Sequence, residues 1–135
     1  MKENTIVSLA DSNYFELLNE LIDSIHKFEQ SKNVAICILD AGLTDNQKNI
    51  LLAKVDEIKK AEWDIEVPGL KVRGKEWLKS QVSRAFIPNY FPNYKKYLWI
   101  DCDAWVQEWF AIELYFKACE DGKLGITQTM APGYK

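Results

Sequence analysis

Residues 34–51, VAICILDAGLTDNQKNIL, decide how the rest of the chain is read. The run from 34 to 39 is continuously apolar and β-branched at Val34, Ile36 and Ile38, the composition of a strand buried on both faces. It stops at Asp40-Ala41-Gly42, where small and polar residues suit a turn. Thr44 then opens a capping box with Gln47: the hydroxyl takes the N–H three residues on, and the amide reaches back to the N–H of Thr44. A buried strand feeding straight into a capped helix is half of a βαβ unit, and such units build parallel sheets.

The same alternation continues outward in both directions. Upstream, residues 5–9 form a β-rich run that ends in Ala10-Asp11-Ser12-Asn13. Tyr14, Leu17, Leu18, Leu21, Ile22, Ile25 and Phe28 then recur at three- and four-residue spacing, which predicts a helix with one apolar stripe. Asn13 is its expected N-cap, with Glu16 three residues on. Downstream, Leu51, Val55 and Ile58 set the buried face of the second helix, and residues 63–67 read as a strand stopped by Pro68-Gly69. A third helix is expected over 77–87, ended by Pro88, then a strand over 97–100 running into Asp101. A helix over 109–119 and a fifth strand over 124–129 complete the series. The expectation is an α/β domain of three layers, a mainly parallel sheet with helices on both faces and right-handed crossovers. In such sheets ligands bind outside the carboxyl ends of the strands, at a switch in strand order. Asp11, Asp40, Asp101 and Asp103 all fall at those ends.

Composition narrows the partners. At 135 residues the chain is one domain, and with 47% hydrophobic residues it can bury a core. A net charge of -3, with no segment dense in Lys or Arg, excludes a nucleic-acid partner. The one loose basic cluster, Lys71, Arg73, Lys75 and Lys79, reads as a solvated loop and helix start or as a contribution to an anionic phosphate site. Cys37, Cys102 and Cys119 are odd in number and make no CxxC pair, so neither a disulfide framework nor a zinc site is signalled. A reducing, cytoplasmic setting is expected, with Cys37 in the core. The start of the chain does not read as a signal peptide, and no apolar stretch is long enough for a transmembrane segment. His26, the sole histidine, lies beside the first helix's stripe and takes a helix-edge role, not a ligand's.

Three short segments carry candidate chemistry. In KKYLWIDCDAWVQ, extended backbone puts residues two apart on one face, so Asp101 and Asp103 can converge on a cation. Hard carboxylate oxygens suit Mn2+ or Mg2+, and the metal would bridge a nucleotide diphosphate. Asp-x-Asp alone is a weak motif that a polar turn after a strand could also explain, but its place after an apolar strand and directly before Ala104-Trp105-Val106 makes that reading less attractive. In the second segment, Asp11 can accept hydrogen bonds from a base or ribose, and Tyr14 can stack on a base or simply begin the helix's apolar stripe. In the third, Arg84 shares a helix face with Ser80, while Leu78, Val82, Ala85 and Phe86 make the apolar side. Arg84 is suited to bidentate bonding of phosphate or carboxylate, or to a surface salt bridge.

Taken in order, ADSNY, LDAGLT, SRAFIPNYF and YLWIDCD resemble the glycosyltransferase family 8 type. The resemblance covers residues 6–126 and implies the GT-A fold, of which this chain would be the Rossmann-like, N-terminal half. It implies transfer of a sugar from a nucleotide-diphosphate donor, a UDP-hexose, with retention of configuration, to a glycan or other acceptor that it does not name. Carried over, Ala10, Asp11, Asn13 and Tyr14 would lie against the nucleoside, and Arg84 near the phosphates or donor sugar. Asp101 and Asp103, with Cys102 between them, would hold the metal and diphosphate. Two departures stand out: Ser12 replaces a second acidic residue found in many relatives, and Cys102 replaces a small or aliphatic one. Family members also continue well beyond this length and draw a metal-binding His and most acceptor contacts from that later part. The expectation is therefore a truncated portion, 1–135, whose missing half would leave apolar surface open to self-association.

Other classes fit less well. A non-catalytic nucleotide or nucleotide-sugar binding module, lacking the acceptor half, remains the alternative. A sugar nucleotidyltransferase needs a Gly-rich, Arg-containing loop where ADSNYF stands. A receiver-like signalling domain needs an Asp after the third strand, where Val67-Pro68-Gly69 stands. No GxGxxG turn follows a strand, which disfavours dinucleotide-dependent oxidoreductases.

Overall fold

The computed structural model describes residues 1–62 and 79–126, apart from the side chains of residues 80 and 81. Strands β1 (Asn4–Ala10), β2 (Val34–Asp40), β3 (Glu57–Lys60) and β4 (Lys96–Trp99) form one sheet in the order β3-β2-β1-β4. Every pairing is parallel: β1 lies beside both β2 and β4, and β2 beside β3. Parallel neighbours need crossovers, and the helices supply them. Helix α1 (Phe15–His26) joins β1 to β2, and α2 (Asp45–Leu52) joins β2 to β3. The short helices α3 (Lys79–Ser83) and α4 (Ile87–Tyr90) precede β4, and α5 (Trp109–Ala118) follows it.

Strand period two sorts the core into two layers. Ile6, Ile36, Ile38 and Leu98 face α1, α2 and α5, meeting Leu18, Ile22, Leu51, Trp109 and Ile112. Val7, Leu9, Cys37 and Leu39 face the other way and meet Ile87 and Phe91. Helices thus cover both faces, as the apolar strands require. Between the layers β1 and β2 are almost wholly buried, which makes them the centre of the sheet.

Several local expectations need correcting. Helix α2 ends at Leu52, and Ile58 belongs to β3 instead of the helix face. The amides of Lys54 and Val55 both turn back to the carbonyl of Leu51, and the Asp56 carboxylate takes the N–H of Ile36. Pro88 stands in the first turn of α4 instead of ending a helix, because the N-terminal turn has no use for its missing N–H. In the same region Ala85 is exposed, and Lys79, Ser83 and Ile87 make the buried line at four-residue spacing. Lys79 is only 8% exposed, so it is not part of a solvated helix start. Residues 124–126 are not in a strand. The expected strand over 63–67, the loop bearing Lys71, Arg73 and Lys75, and residues 127–129 lie outside the described residues.

Other readings hold. The Thr44–Gln47 capping box is complete, with both reciprocal bonds present. Cys37 is buried and all three cysteines are free thiols. His26 sits at the helix edge, its Nε2 2.8 Å from the carbonyl of Lys54. Among the described residues, no helix is long and apolar enough to cross a membrane.

Candidate functional site

The chain winds outward from β1 through β2 to β3, then crosses back to lay β4 on the opposite side of β1. The strand order therefore reverses between β1 and β4, and the crevice beyond their carboxyl ends is where this class of sheet binds ligands. Asp11 leaves β1 and Asp101 follows β4, so the switch point is flanked by acidic residues from two distant segments.

The β1 side is organised by Asp11. Its Oδ1 accepts the N–H groups of Asn13 at 2.9 Å and Tyr14 at 3.1 Å, capping the short 3-10 turn Ser12–Tyr14 that leads into α1. Asp11, not Asn13, thus caps this turn, and the N-cap of α1 itself is Tyr14, with no side-chain cap bond; the side chain of Asn13 is left exposed. Tyr14 is 48% exposed and contributes nothing to the buried stripe of α1, which Phe15 begins instead. That weighs against a core-packing role for Tyr14 and leaves its side chain half exposed at the start of α1.

The neighbouring loop braces this one. Asp40, at the end of β2, folds its own turn: Oδ1 accepts from Gly42 N at 2.8 Å and Leu43 N at 2.6 Å. Gly42 has φ +134°, a conformation that L side chains rarely adopt, and its carbonyl accepts the N–H of Ser12 at 3.1 Å. Gln47 adds a bond from its Nε2 to the carbonyl of Ser12. Asp40 is accordingly a loop-forming residue, and the β1 loop is held from two sides.

The β4 side is a turn, not extended backbone. Ala104 N donates to Asp101 O at 3.0 Å, closing residues 101–104, so Asp101 and Asp103 stand first and third in that turn. Strand alternation therefore does not relate the two side chains. Cys102, half-buried between them, packs on the core that faces α1. Burial chiefly, then the negative fields of Asp103, Asp101 and Asp11, push its thiol up to about 11.

Arg84 reaches this turn from α3's continuation, the 3-10 turn Arg84–Phe86. Its Nη2 lies 2.8 Å from Asp101 Oδ1, and the indole Nε1 of Trp99 donates to the same oxygen at 2.8 Å. The guanidinium also sits over the Trp99 ring, 5.1 Å from its centroid. Trp99 was not among the residues singled out from sequence; its only signal there is an aromatic two positions before Asp101. Ala10 is buried at the end of β1 and contributes backbone: its carbonyl accepts the N–H of Ala41.

The donor chemistry suits a hard divalent cation. Asp101 and Asp103 are exposed carboxylates on one turn, oxygen ligands of the kind Mg2+ and Mn2+ prefer. Among the described residues, no group of three or more His, Cys, Asp or Glu side chains could hold a metal. These two would therefore supply part of a shell, which a bound diphosphate would extend.

An open parallel sheet with helices on both faces and an acidic crevice at its switch point defines an α/β ligand-binding class. Within it, the chain belongs to glycosyl transferase family 8, whose model matches residues 5–121. Solved structures similar to it include an active-site mutant of LgtC and the galactosyltransferase LgtC in complex with donor and acceptor sugar analogs. Each gives a TM-score of 0.57 at 20% identity and covers 80% of this chain and 41% of that one. The chain thus spans about two fifths of the length of these neighbours. At that identity the likeness speaks for the fold, and it agrees with the GT-A architecture expected from the resemblance. No curated protein sequence matches the chain.

Proposed function

We propose that this chain is the nucleotide-sugar-binding portion of a metal-dependent glycosyltransferase whose donor is a UDP-hexose and whose transfer retains anomeric configuration. The observation that carries the reading is the turn bearing Asp101 and Asp103 beside the β1/β4 switch point, with Arg84 and Trp99 both bonded to Asp101. Asp101 and Asp103 would hold Mn2+ or Mg2+. When bound, such an ion neutralises charge that builds on a departing diphosphate. The chain's own residues do the rest. Tyr14 offers an exposed ring for the base, Asn13 an exposed amide beside it, and Asp11 holds both in place through its cap. Arg84 brings a positive fork to the same crevice, where a phosphate is the natural partner. The family and the neighbours' sugar ligands support this donor class.

A second reading, a binding module that holds the nucleotide without transfer, is favoured by one feature. No third metal-binding side chain joins Asp101 and Asp103 among the described residues. One experiment serves both. The melting temperature is measured with UDP plus Mn2+ and with UDP plus chelator, alongside release of UDP from UDP-hexose. The proposal expects a larger rise with Mn2+, because ligands stabilise the state they bind. Equal rises in both conditions contradict the metal site, and a Mn2+-dependent rise without turnover selects the binding module.

A further inference from the structure

We infer that Trp99 is a positioning residue for the metal-binding carboxylate: its indole N–H and its ring face together fix Asp101 and Arg84 in one arrangement. The inference rests on the reading of Asp101 as a metal-binding residue and adds a role that neither strand propensity nor core packing requires.

Asp101 is the more exposed partner of the Arg84 ion pair. Its side chain is 58% exposed and it begins a turn, so nothing in its packing selects one rotamer. Trp99 has the opposite character. It is the last residue of β4, paired with Val7 of the central strand, and its ring packs against the core layer containing Ile87 and Phe91. A side chain anchored in this way can transmit its rigidity to whatever it bonds. It bonds Asp101 Oδ1 at 2.8 Å. A strand-end Trp that served only the core would satisfy its N–H on a backbone carbonyl or on water; donating to an exposed carboxylate directs the bond to the crevice.

Arg84 completes a triangle. Its guanidinium donates to the same Oδ1 and stacks on the same indole, so two cationic or polar donors converge on one oxygen while the ring fixes the angle between them. A charge-assisted bond of this kind is stronger and more directional than a neutral one. Loss of Trp99 therefore frees two side chains at once, the carboxylate and the arginine, although neither is its sequence neighbour in the adjacent-residue sense. A Trp99→Phe variant keeps the aromatic face and removes only the N–H; Trp99→Leu removes both.

Two measurements on the 135-residue chain test this. Calorimetric titration with Mn2+ plus UDP is run on wild type, Trp99→Phe and Trp99→Leu, together with their melting temperatures. Trp99→Phe should weaken metal-dependent UDP binding by about tenfold, the size expected for one lost charge-assisted bond, and Trp99→Leu by more. The second measurement needs no variant to fold well. In a 15N–1H spectrum of the five tryptophan indoles, the Trp99 resonance should move on titration with Mg2+ plus UDP and stay still with UDP alone. Wild-type affinity in Trp99→Phe, or a Trp99 indole signal unmoved by Mg2+ plus UDP while binding is seen calorimetrically, overturns the inference alone. Absence of any metal-dependent UDP binding by the wild type overturns the functional reading, and the inference falls with it.

Discussion

Replacing Gly42 by Ala probes how the two loops at the crevice are held. Gly42 adopts φ +134°, and a Cβ there would meet nothing closer than the Cβ of Asp11 at 3.7 Å, an ordinary contact. The cost is therefore in the backbone, not in a clash. A non-glycine residue held in such a region costs about 1–3 kcal/mol. Ala also restricts the unfolded chain, which returns about 0.4–1 kcal/mol. The net loss should be about 1–2 kcal/mol, or roughly 3–8 °C in melting temperature for a chain of this size. If the loop relaxes to avoid the strain, the bonds from Gly42 N to Asp40 and from Ser12 N to Gly42 O are the ones disturbed. Urea unfolding followed by circular dichroism, with a parallel thermal melt, gives the number. An unchanged or raised midpoint, the outcome for a glycine in an unstrained position, would refute the reasoning.

Three further outcomes are expected. Ser24→Ala removes a buried hydroxyl that accepts the N–H of Val106 and donates to Leu21 O, so stability should fall by about 1–3 kcal/mol in urea, and a change within experimental error counts against the bond. Tyr14→Ala should leave the melting temperature nearly unchanged, because the ring is exposed, while weakening UDP binding by about 1–3 kcal/mol if the ring stacks on the base; calorimetry distinguishes this from a packing role. Burial raises the Cys37 thiol from 9.0 to about 11, outweighing its bond with Thr5, so the unfolded chain loses that proton first. Stability contributed there is intact below about pH 9 and declines toward about pH 11, and the partly buried Tyr94 hydroxyl, also pushed up, acts in the same direction. Urea midpoints at pH 8 and pH 10.5, with Cys37→Ala showing a shallower decline, check the sign.

Much of the sheet was legible because central parallel strands are apolar on both faces. Residues 5–9 and 34–39 could be little else, and the Thr44–Gln47 box marked a helix start that the structure reproduces bond for bond. The failures share a cause. Leu51, Val55 and Ile58 have helical spacing, yet the chain leaves the helix after Leu52, because Asp56 and the edge of β2 give residues 57–60 a strand partner. Asn13 and Asp11 are both good caps, and only the backbone path decides that Asp11 takes the bonds. The extended geometry expected for Asp101 and Asp103 fails, since the strand stops two residues before Asp101 and a turn takes over. Trp99 was missed because its role exists only through contact with Arg84, fifteen residues away along the chain and adjacent in space. Local pattern reports local structure; the clamp on Asp101 is a tertiary fact.

Metal binding by Asp103 is the central claim of the proposed function. Asp103 is exposed on its turn, so Asp103→Ala has few packing contacts to lose, and surface changes of that kind cost within about 0.5 kcal/mol. Removing one of two neighbouring carboxylates also relieves like-charge repulsion, which opposes any loss. The decisive measurement is Mn2+-dependent UDP affinity by calorimetry, paired with the ligand-free melting temperature, for wild type and Asp103→Ala. In Asp103→Ala, metal-dependent binding should disappear while the melting temperature stays the same or rises slightly. A lowered melting temperature with unchanged Mn2+-dependent affinity would contradict it and make Asp103 a structural residue of the turn.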